Sequence, residues 1–392
     1  MPIELDLDQL KFREPNRTEA YKLFRELEFN TLTKEFADSA PLFDSLSDDG
    51  RERVEQKYSV IRTTEELDKL VRILWEKEKF AFDIDDSNEG KWHSSFDKVP
   101  PRGISIAFAP GEARFIDLEN FEGGSEKAVR TISDIFSNPF LDKSTHDLKC
   151  KLAILAKIGI EPEAVKEDLM MASFLLDSGR PHHELEFLAQ HNLDAYPKTE
   201  IPEEFTETGF QATTRADWTF QLAPMLRQKI AADGLTKVYC DIELPLEPVL
   251  VEIETAGMKV DIDALKTFSE FISKELAGLQ AKIYEIAGRE FNIGSPKQVG
   301  EVFEELNIAT GRKTATGQVS TSRDVLNEIA VDFEIAQMII DYRELDKLRA
   351  TYADALPKMV NTDGRIHGVL SQAVAVTGRL SSTEPNLQNI PV

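Results

Sequence analysis

The chain has 392 residues, 41% hydrophobic and 8% aromatic, with 70 acidic against 46 basic side chains and a net charge of −24. This composition suits a soluble globular chain of two or three domains. It contains no apolar run of membrane-spanning length, and Met1-Pro2-Ile3-Glu4 does not open a signal peptide. The charge argues against a surface generally attractive to nucleic acid, while leaving room for a local basic groove. Cys150 and Cys240 lie far apart in sequence and read as small apolar residues in a reducing cytosol rather than as a bridge.

Residues 1–58 read as a leader. Tyr21, Phe24, Leu27, Phe29 and Leu32 recur at roughly helical spacing within Asn16–Phe36, and an acidic loop follows over Asp38–Asp49. From 59 to 235 strand and helix alternate, which predicts an α/β domain. Thr63 and Glu66 form a capping-box signature for a helix to about Glu78. Phe80–Asp85 reads as a strand, and its period of two puts Asp83 and Asp85 on one face, as a metal site requires. A hairpin is predicted from Gly103–Ala109 and Arg114–Leu118 around Pro110-Gly111-Glu112, then helices at about 125–137, 147–158, 168–177 and 184–192. The run from His182 to His191 fails the H-E-x-x-H zinc pattern, because Phe187 occupies the second histidine position; solvated histidines at a helix start explain it better.

From 236 the composition turns helical. Pro245 and Pro248 sit near the start of a helix stopped by Gly257, and Asp261 caps a longer one to Ala287. The stripe Leu265, Phe268, Ile272, Leu276, Leu279, Ile283 and Ile286 is read as core. Ser295-Pro296-Lys297-Gln298 gives a full capping box, and Thr321 with Asp324 repeats the device. Lys297, Arg312, Lys313, Arg323, Arg343, Lys347 and Arg349 form a local basic patch interspersed with Ser320, Thr321, Ser322, Thr351 and Tyr352, a mixture suited to phosphates and also to a plain solvated face. Residues 358–376 read as short strands with Asp363-Gly364 as a hairpin turn. The chain then reaches Thr377–Pro391, dense in polar groups. Gly378 permits close backbone approach, Arg379 is a planar five-donor fork, and Asn386 and Gln388 would share a side of an extended chain.

These fifteen positions, T-G-R-L-S-S-x-x-P-N-L-Q-N-I-P, closely resemble the segment opening the palm of family-A DNA polymerases. Tyr342-Arg343-x-Leu345-x-Lys347-Leu348-x-x-Thr351-Tyr352 is similar to the thumb of that family, and the earlier strand–helix order to its 3′–5′ exonuclease domain. The resemblance implies a ribonuclease H-like α/β exonuclease-type domain (59–235), a mainly α-helical thumb (236–357) and the start of an α+β palm (358–392). It also implies a fragment lacking the 5′-nuclease domain upstream and most of the palm and fingers downstream, with an unpaired sheet edge prone to aggregation. Arg379, Asn386 and Gln388 would meet the minor groove at the primer–template end. The minor groove offers acceptors whichever base pair is present. Lys297, Arg312, Lys313, Ser320, Thr321, Lys347, Thr351 and Tyr352 would meet the DNA backbone. The parent enzyme would use Mg2+ and dNTPs in two-metal polymerisation. For this chain no tightly bound cofactor, no membrane, a monomer and a bacterial, nucleoid-associated cytoplasmic location are expected.

The exonuclease motifs depart from the family pattern. Asp83 matches the first carboxylate, and Asp85 replaces a glutamate. Lys151 occupies the position of a catalytic aspartate, Gln211 that of a tyrosine and Arg215 that of a second aspartate, while Asp147, read as an N-cap, replaces an asparagine. A cation there repels a divalent ion and would pair with Asp83 or Asp85 instead. A shift of the third motif by two residues would make Asp217 the ligand without removing Lys151. The expectation is a degenerate exonuclease retained as a scaffold; an active 3′–5′ exonuclease and a non-catalytic half of a split polymerase are the alternatives.

Overall fold

The computed structural model describes residues 55–85, 95–198, 200–309, 311 and 319–390, and positions 20, 23, 24 and 32 before them. Apart from those positions, which are helical, the expected leader helix and acidic loop lie outside the described residues, as do Arg312 and Lys313. The chain divides into two compact units, Met1–Glu55 and Gln56–Val392.

A six-stranded mixed sheet organises the first half of the second unit. Its strands are β1 (Lys57–Ile61), β2 (Lys79–Asp85), β3 (Gly103–Ala109), β4 (Glu112–Asp117), β5 (Asp142–Thr145) and β6 (Val165–Asp168), in spatial order β1-β4-β3-β2-β5-β6. The β2–β3 and β3–β4 pairs are antiparallel and the others parallel. The predicted hairpin closes at Gly111, whose φ of 76° suits glycine. Helix α1 (Thr64–Lys77) starts at the predicted capping box, with both reciprocal bonds present. Leu67, Leu70 and Leu74 of α1, Ile132 and Phe136 of α2 (Ser125–Phe136), and Ile154 and Leu155 of α3 (Leu148–Ala156) join Phe80, Phe82 and Ile84 in one core. Phe82 and Phe136 meet edge to face, 4.9 Å between centroids.

The opposite face of the sheet receives a helix that the sequence reading left unassigned: α6, Glu207–Ala232, 26 residues long. Its buried residues include Phe210, Thr213, Thr214, Ala216, Trp218 and Leu222, which do not form a single stripe, so no clear helical period stands out. It lies close to the sheet because the contacting residues are small: Ala107, Ala113 and Ala216 cluster, and Ser105 Oγ lies 3.0 Å from Thr213 Oγ1. At Gly209 a Cβ would come within 2.8 Å of the Phe115 ring, so only glycine fits. Helices α4 (Leu169–Leu176) and α5 (Leu185–Leu193) pack on α6 through Leu169, Ala172, Leu188 and Leu226.

The second half is helical. A π-helical turn, Tyr239–Glu243, leads into α7 (Leu244–Ala256), which stops at Gly257 with φ 62°. Helix α8 (Ile262–Ala287) is capped by Asp261, whose carboxylate accepts from the Ala264 N–H at 2.9 Å. Its C-terminal part packs with α9 (Pro296–Glu305), α10 (Arg323–Ala330) and α11 (Glu334–Leu348). The stripe read as core is only partly buried. Ile272, Leu276 and Ile283 are covered, whereas Phe268 and Ile286 are exposed.

Several local expectations are corrected. Ser295 caps α9, but the Gln298 side chain accepts from the Asn292 N–H at 2.7 Å instead of reaching back to the cap. The cap of α10 is Ser322, without a side-chain bond, one residue after Thr321. Gly364 turns the chain as predicted, with φ 79°, but strand β8 (Arg365–Ile366) pairs with β7 (Met258–Lys259). Strand β9 (Val369–Ser371) pairs antiparallel with β10 (Ser381–Thr383), inside the terminal motif. Beyond it Leu387–Asn389 forms a 3₁₀ turn, so Asn386 and Gln388 are not paired on one side of an extended chain. Cys150 is half-buried and Cys240 exposed, and they form no disulfide, as the sequence reading expects.

Candidate active site and nucleic-acid interface

The alternation of β2 sends Phe80, Phe82 and Ile84 into one core and turns Asp83 and Asp85 toward α6. Asp83 is only 2% exposed and would be costly to keep charged without partners. It has two. Lys151 of α3 forms an ion pair with Asp83 Oδ1, and Arg215 Nε of α6 donates to Oδ2 at 2.6 Å. Arg215 Nη1 reaches on to Glu186 of α5, in another ion pair. One residue from each of β2, α3, α5 and α6 thus forms a chain of alternating charge. Asp85 accepts from the Thr208 hydroxyl at 3.0 Å instead.

The electrostatics follow from this order. Burial pushes the Asp83 carboxyl upward, but Lys151 and Arg215 outweigh it and hold it below the usual aspartate range. Burial lowers Lys151, and Asp83 more than restores it, so the ammonium is held above its ordinary value. Glu186 is held low because Arg215 overcomes its burial. All four groups are charged at neutral pH.

The Lys151 and Arg215 pairings are those expected from the sequence, with Asp83 as the shared partner. Glu186 was missed; two cations facing one buried carboxylate called for a second, though not for which residue. Gln211 projects outward on α6, its amide 3.5 Å from Glu207. Asp217, the alternative ligand, is excluded from the cluster: two residues on from Arg215 it faces elsewhere on the helix, accepting from Tyr58 at 2.7 Å and from the Gly111 N–H at 2.8 Å. Asp147 is also corrected. It stands at the start of α3 with φ 58° and makes no side-chain cap bond. The cap comes from Asp168, whose carboxylate accepts from the N–H groups of Asp147 (3.0 Å), Leu148 (2.9 Å) and Met170 (2.8 Å), serving α3 and α4 together.

A cleft of about 1130 Å³ opens beside the cluster, lined by Asp85, Lys151, Phe174, His183, Gln211 and Arg215 among others. His183 accounts for part of the histidine run: its Nδ1 lies 2.9 Å from Ser173 Oγ, and burial lowers its pKa. The donor set does not fit the two-metal centre that the resemblance implies. Both Asp83 oxygens already face cations, and among the described residues no three His, Cys, Asp or Glu side chains are arranged to hold a metal.

Of the residues expected to meet DNA, Lys297, Lys347, Thr351, Arg379, Asn386 and Gln388 are exposed and Ser320 is half-buried. Gly378, at φ 72°, precedes Arg379. Two expectations are corrected. Thr321 and Tyr352 are buried, and the Tyr352 hydroxyl donates to the Asn389 carbonyl at 2.6 Å, so both support the surface from beneath. Much of the remaining basic patch is internally engaged: Arg323 pairs with Glu344, Arg349 with Asp346 at 3.0 Å, and Arg343 donates to the carbonyls of Thr321 (2.9 Å) and Ile293 (3.2 Å).

The fold and site define an exonuclease-type α/β domain continuous with a helical polymerase segment, and comparison with known proteins agrees. The family model for 3′–5′ exonuclease matches residues 58–215, and that for DNA polymerase family A matches residues 262–392. The chain belongs to the family-A DNA polymerases. DNA polymerase I of Pseudomonas aeruginosa is 34% identical over all of this chain and 45% of its own length; that of Geobacillus stearothermophilus is 30% identical over all of this chain and 43% of its own. The chain therefore spans less than half the length of these relatives. A solved POL domain of Pol1 from M. smegmatis, in complex with DNA primer-template and dNTP, superposes with a TM-score of 0.74 at 28% identity, covering 86% of this chain and 56% of that one. Among the described residues no helix is long and apolar enough to cross a membrane.

Proposed function

We propose that this chain is the DNA-gripping portion of a DNA polymerase I-type enzyme, with a 3′–5′ exonuclease domain that no longer cleaves. The observation carrying this reading is the Lys151–Asp83–Arg215–Glu186 cluster. Exonuclease chemistry in this family needs carboxylates free to hold two metal ions, and here side-chain cations take their place. Template-directed synthesis from dNTPs with Mg2+ is the activity of the longer protein. In it Arg379, Asn386 and Gln388 line the minor groove, while Lys297, Ser320, Lys347, Thr351, Arg312 and Lys313 meet the backbone. The chain acts as a monomer on primer–template DNA in the bacterial cytoplasm.

The test is incubation of a 3′-labelled single strand with Mg2+ or Mn2+, beside an Asp83→Ala control, together with primed-duplex binding across a salt series. The expected result is no degradation, no primer extension when dNTPs are added, and binding that weakens steeply with salt. Degradation that disappears in the Asp83→Ala chain would show a working metal site and overturn the reading.

A further inference from the structure

The terminal DNA-facing segment belongs to a very small sheet. In the β9–β10 pair Leu370 opposes Ser382, and each strand is three residues long. A two-stranded ladder of this size is marginal by itself. In an antiparallel ladder successive residues turn their N–H and C=O groups alternately to the two sides. Those of Leu370 point away from β10. Its N–H donates to Glu254 Oε1 at 2.8 Å, and its C=O accepts from Lys149 Nζ at 2.7 Å.

Lys149 and Glu254 also form an ion pair with each other, with side chains only 13% and 1% exposed. The second Glu254 oxygen accepts from the Ser95 N–H at 2.9 Å and from the Ser95 hydroxyl. One ammonium and one carboxylate therefore supply the donor and acceptor that a neighbouring strand would offer to Leu370. Their origins matter. Lys149 comes from α3 of the exonuclease-type domain and Glu254 from the last turns of α7. The joint is reinforced on both sides of Leu370. Gln372 Nε2 donates to the Glu243 carboxylate at 2.7 Å, and the His367 ring stacks on Phe96 with centroids 3.7 Å apart.

We infer that Lys149 and Glu254 act as a surrogate strand edge: positioning residues through which the exonuclease-type domain holds β9, and with it the β10 segment next to Arg379. The domain then has a task that needs no cleavage chemistry. The inference rests on the reading of residues 377–391 as a DNA contact, and its test separates the two.

Amide hydrogen exchange and primed-duplex affinity are measured on the full chain carrying Lys149→Met, Lys149→Arg, or the exchanged pair Lys149→Glu with Glu254→Lys. In Lys149→Met the lost hydrogen bond is expected to speed exchange at Leu370 and at 381–383 about tenfold relative to the core amides of β2 to β4, with duplex affinity falling in parallel; the melting temperature also falls, because buried Glu254 loses its counter-charge. Lys149→Arg keeps a donor and restores slow exchange. The exchanged pair keeps an ion pair but presents a carboxylate to a carbonyl, and fails like Lys149→Met; a merely structural salt bridge would tolerate it. Unchanged exchange at 381–383 in Lys149→Met overturns the inference, whatever the exchanged pair does. Faster exchange without any change in duplex affinity supports the strand edge and refutes the DNA role of the terminal segment.

Discussion

The exonuclease-type domain and the helical half that follows it both contain charged clusters, and they use charge in opposite ways. In the first, Asp83 and Lys151 are nearly sealed from water, so each depends on the other for its charge. In the helical half, Arg323 and Glu344 have side chains 72% and 50% exposed, where water solvates each without help. The buried cluster is consequently a condition of the fold around it. The exposed pairs can part at little cost, because water solvates each member without help. Burial, not residue type, separates a structural charge from an interactive one.

The sharpest way to break this contrast is Asp83→Ala, which leaves Lys151 and Arg215 facing each other in the interior. Loss of one member of a buried cluster is expected to cost about 3–5 kcal/mol in urea unfolding. A loss near that of an exposed pair would mean that water reaches the cluster. The acid limb follows the same logic. A depressed carboxyl contributes stability above the usual aspartate range and loses it as pH falls through the depressed value, so the variant should lack that part of the wild-type acid transition.

A smaller effect of opposite sign is expected at Glu247, on α7. Burial first, then the neighbouring Asp168 and Asp147, push its carboxyl well above the ordinary range. Stability associated with a raised acid is present below the unfolded value and is lost as pH rises toward the folded one. Glu247→Gln should therefore match the wild type near pH 4 and be more stable at pH 8, by on the order of 1–3 kcal/mol. Equal urea midpoints at both pH values in wild type and variant would refute it. The smallest effect belongs to the helical half: Phe271, 57% exposed on α8, replaced by serine should leave thermal stability within about 0.5 kcal/mol. A larger loss would show that this face is covered in solution.

Much of the site was legible before the fold. Asp83, Lys151 and Arg215 could be matched to motif positions one at a time, and opposite charges at positions that converge have to pair. Glu186 and the Lys149–Glu254 edge were not legible, because each depends on which helices approach which strand. Thr321 and Tyr352 were misread for the same reason: a hydroxyl in a basic run looks like a phosphate contact until its burial is known. Helix α6 escaped notice because it is covered on several sides and shows no apolar period.

By itself the sequence determined the central strands β2 to β4, most helices and some of their caps, since period, cap and turn residues act through neighbours a few positions away. Through the family resemblance it also implied that cations stand at carboxylate positions, an expectation carried by Lys151 and Arg215. Only the tertiary structure decided where those cations find their counter-charges, that α6 closes the sheet, and that β9 borrows its outer edge from Lys149 and Glu254, residues 105 positions apart. These outcomes depend on packing between distant segments and on the exclusion of water, which no local stretch of sequence encodes.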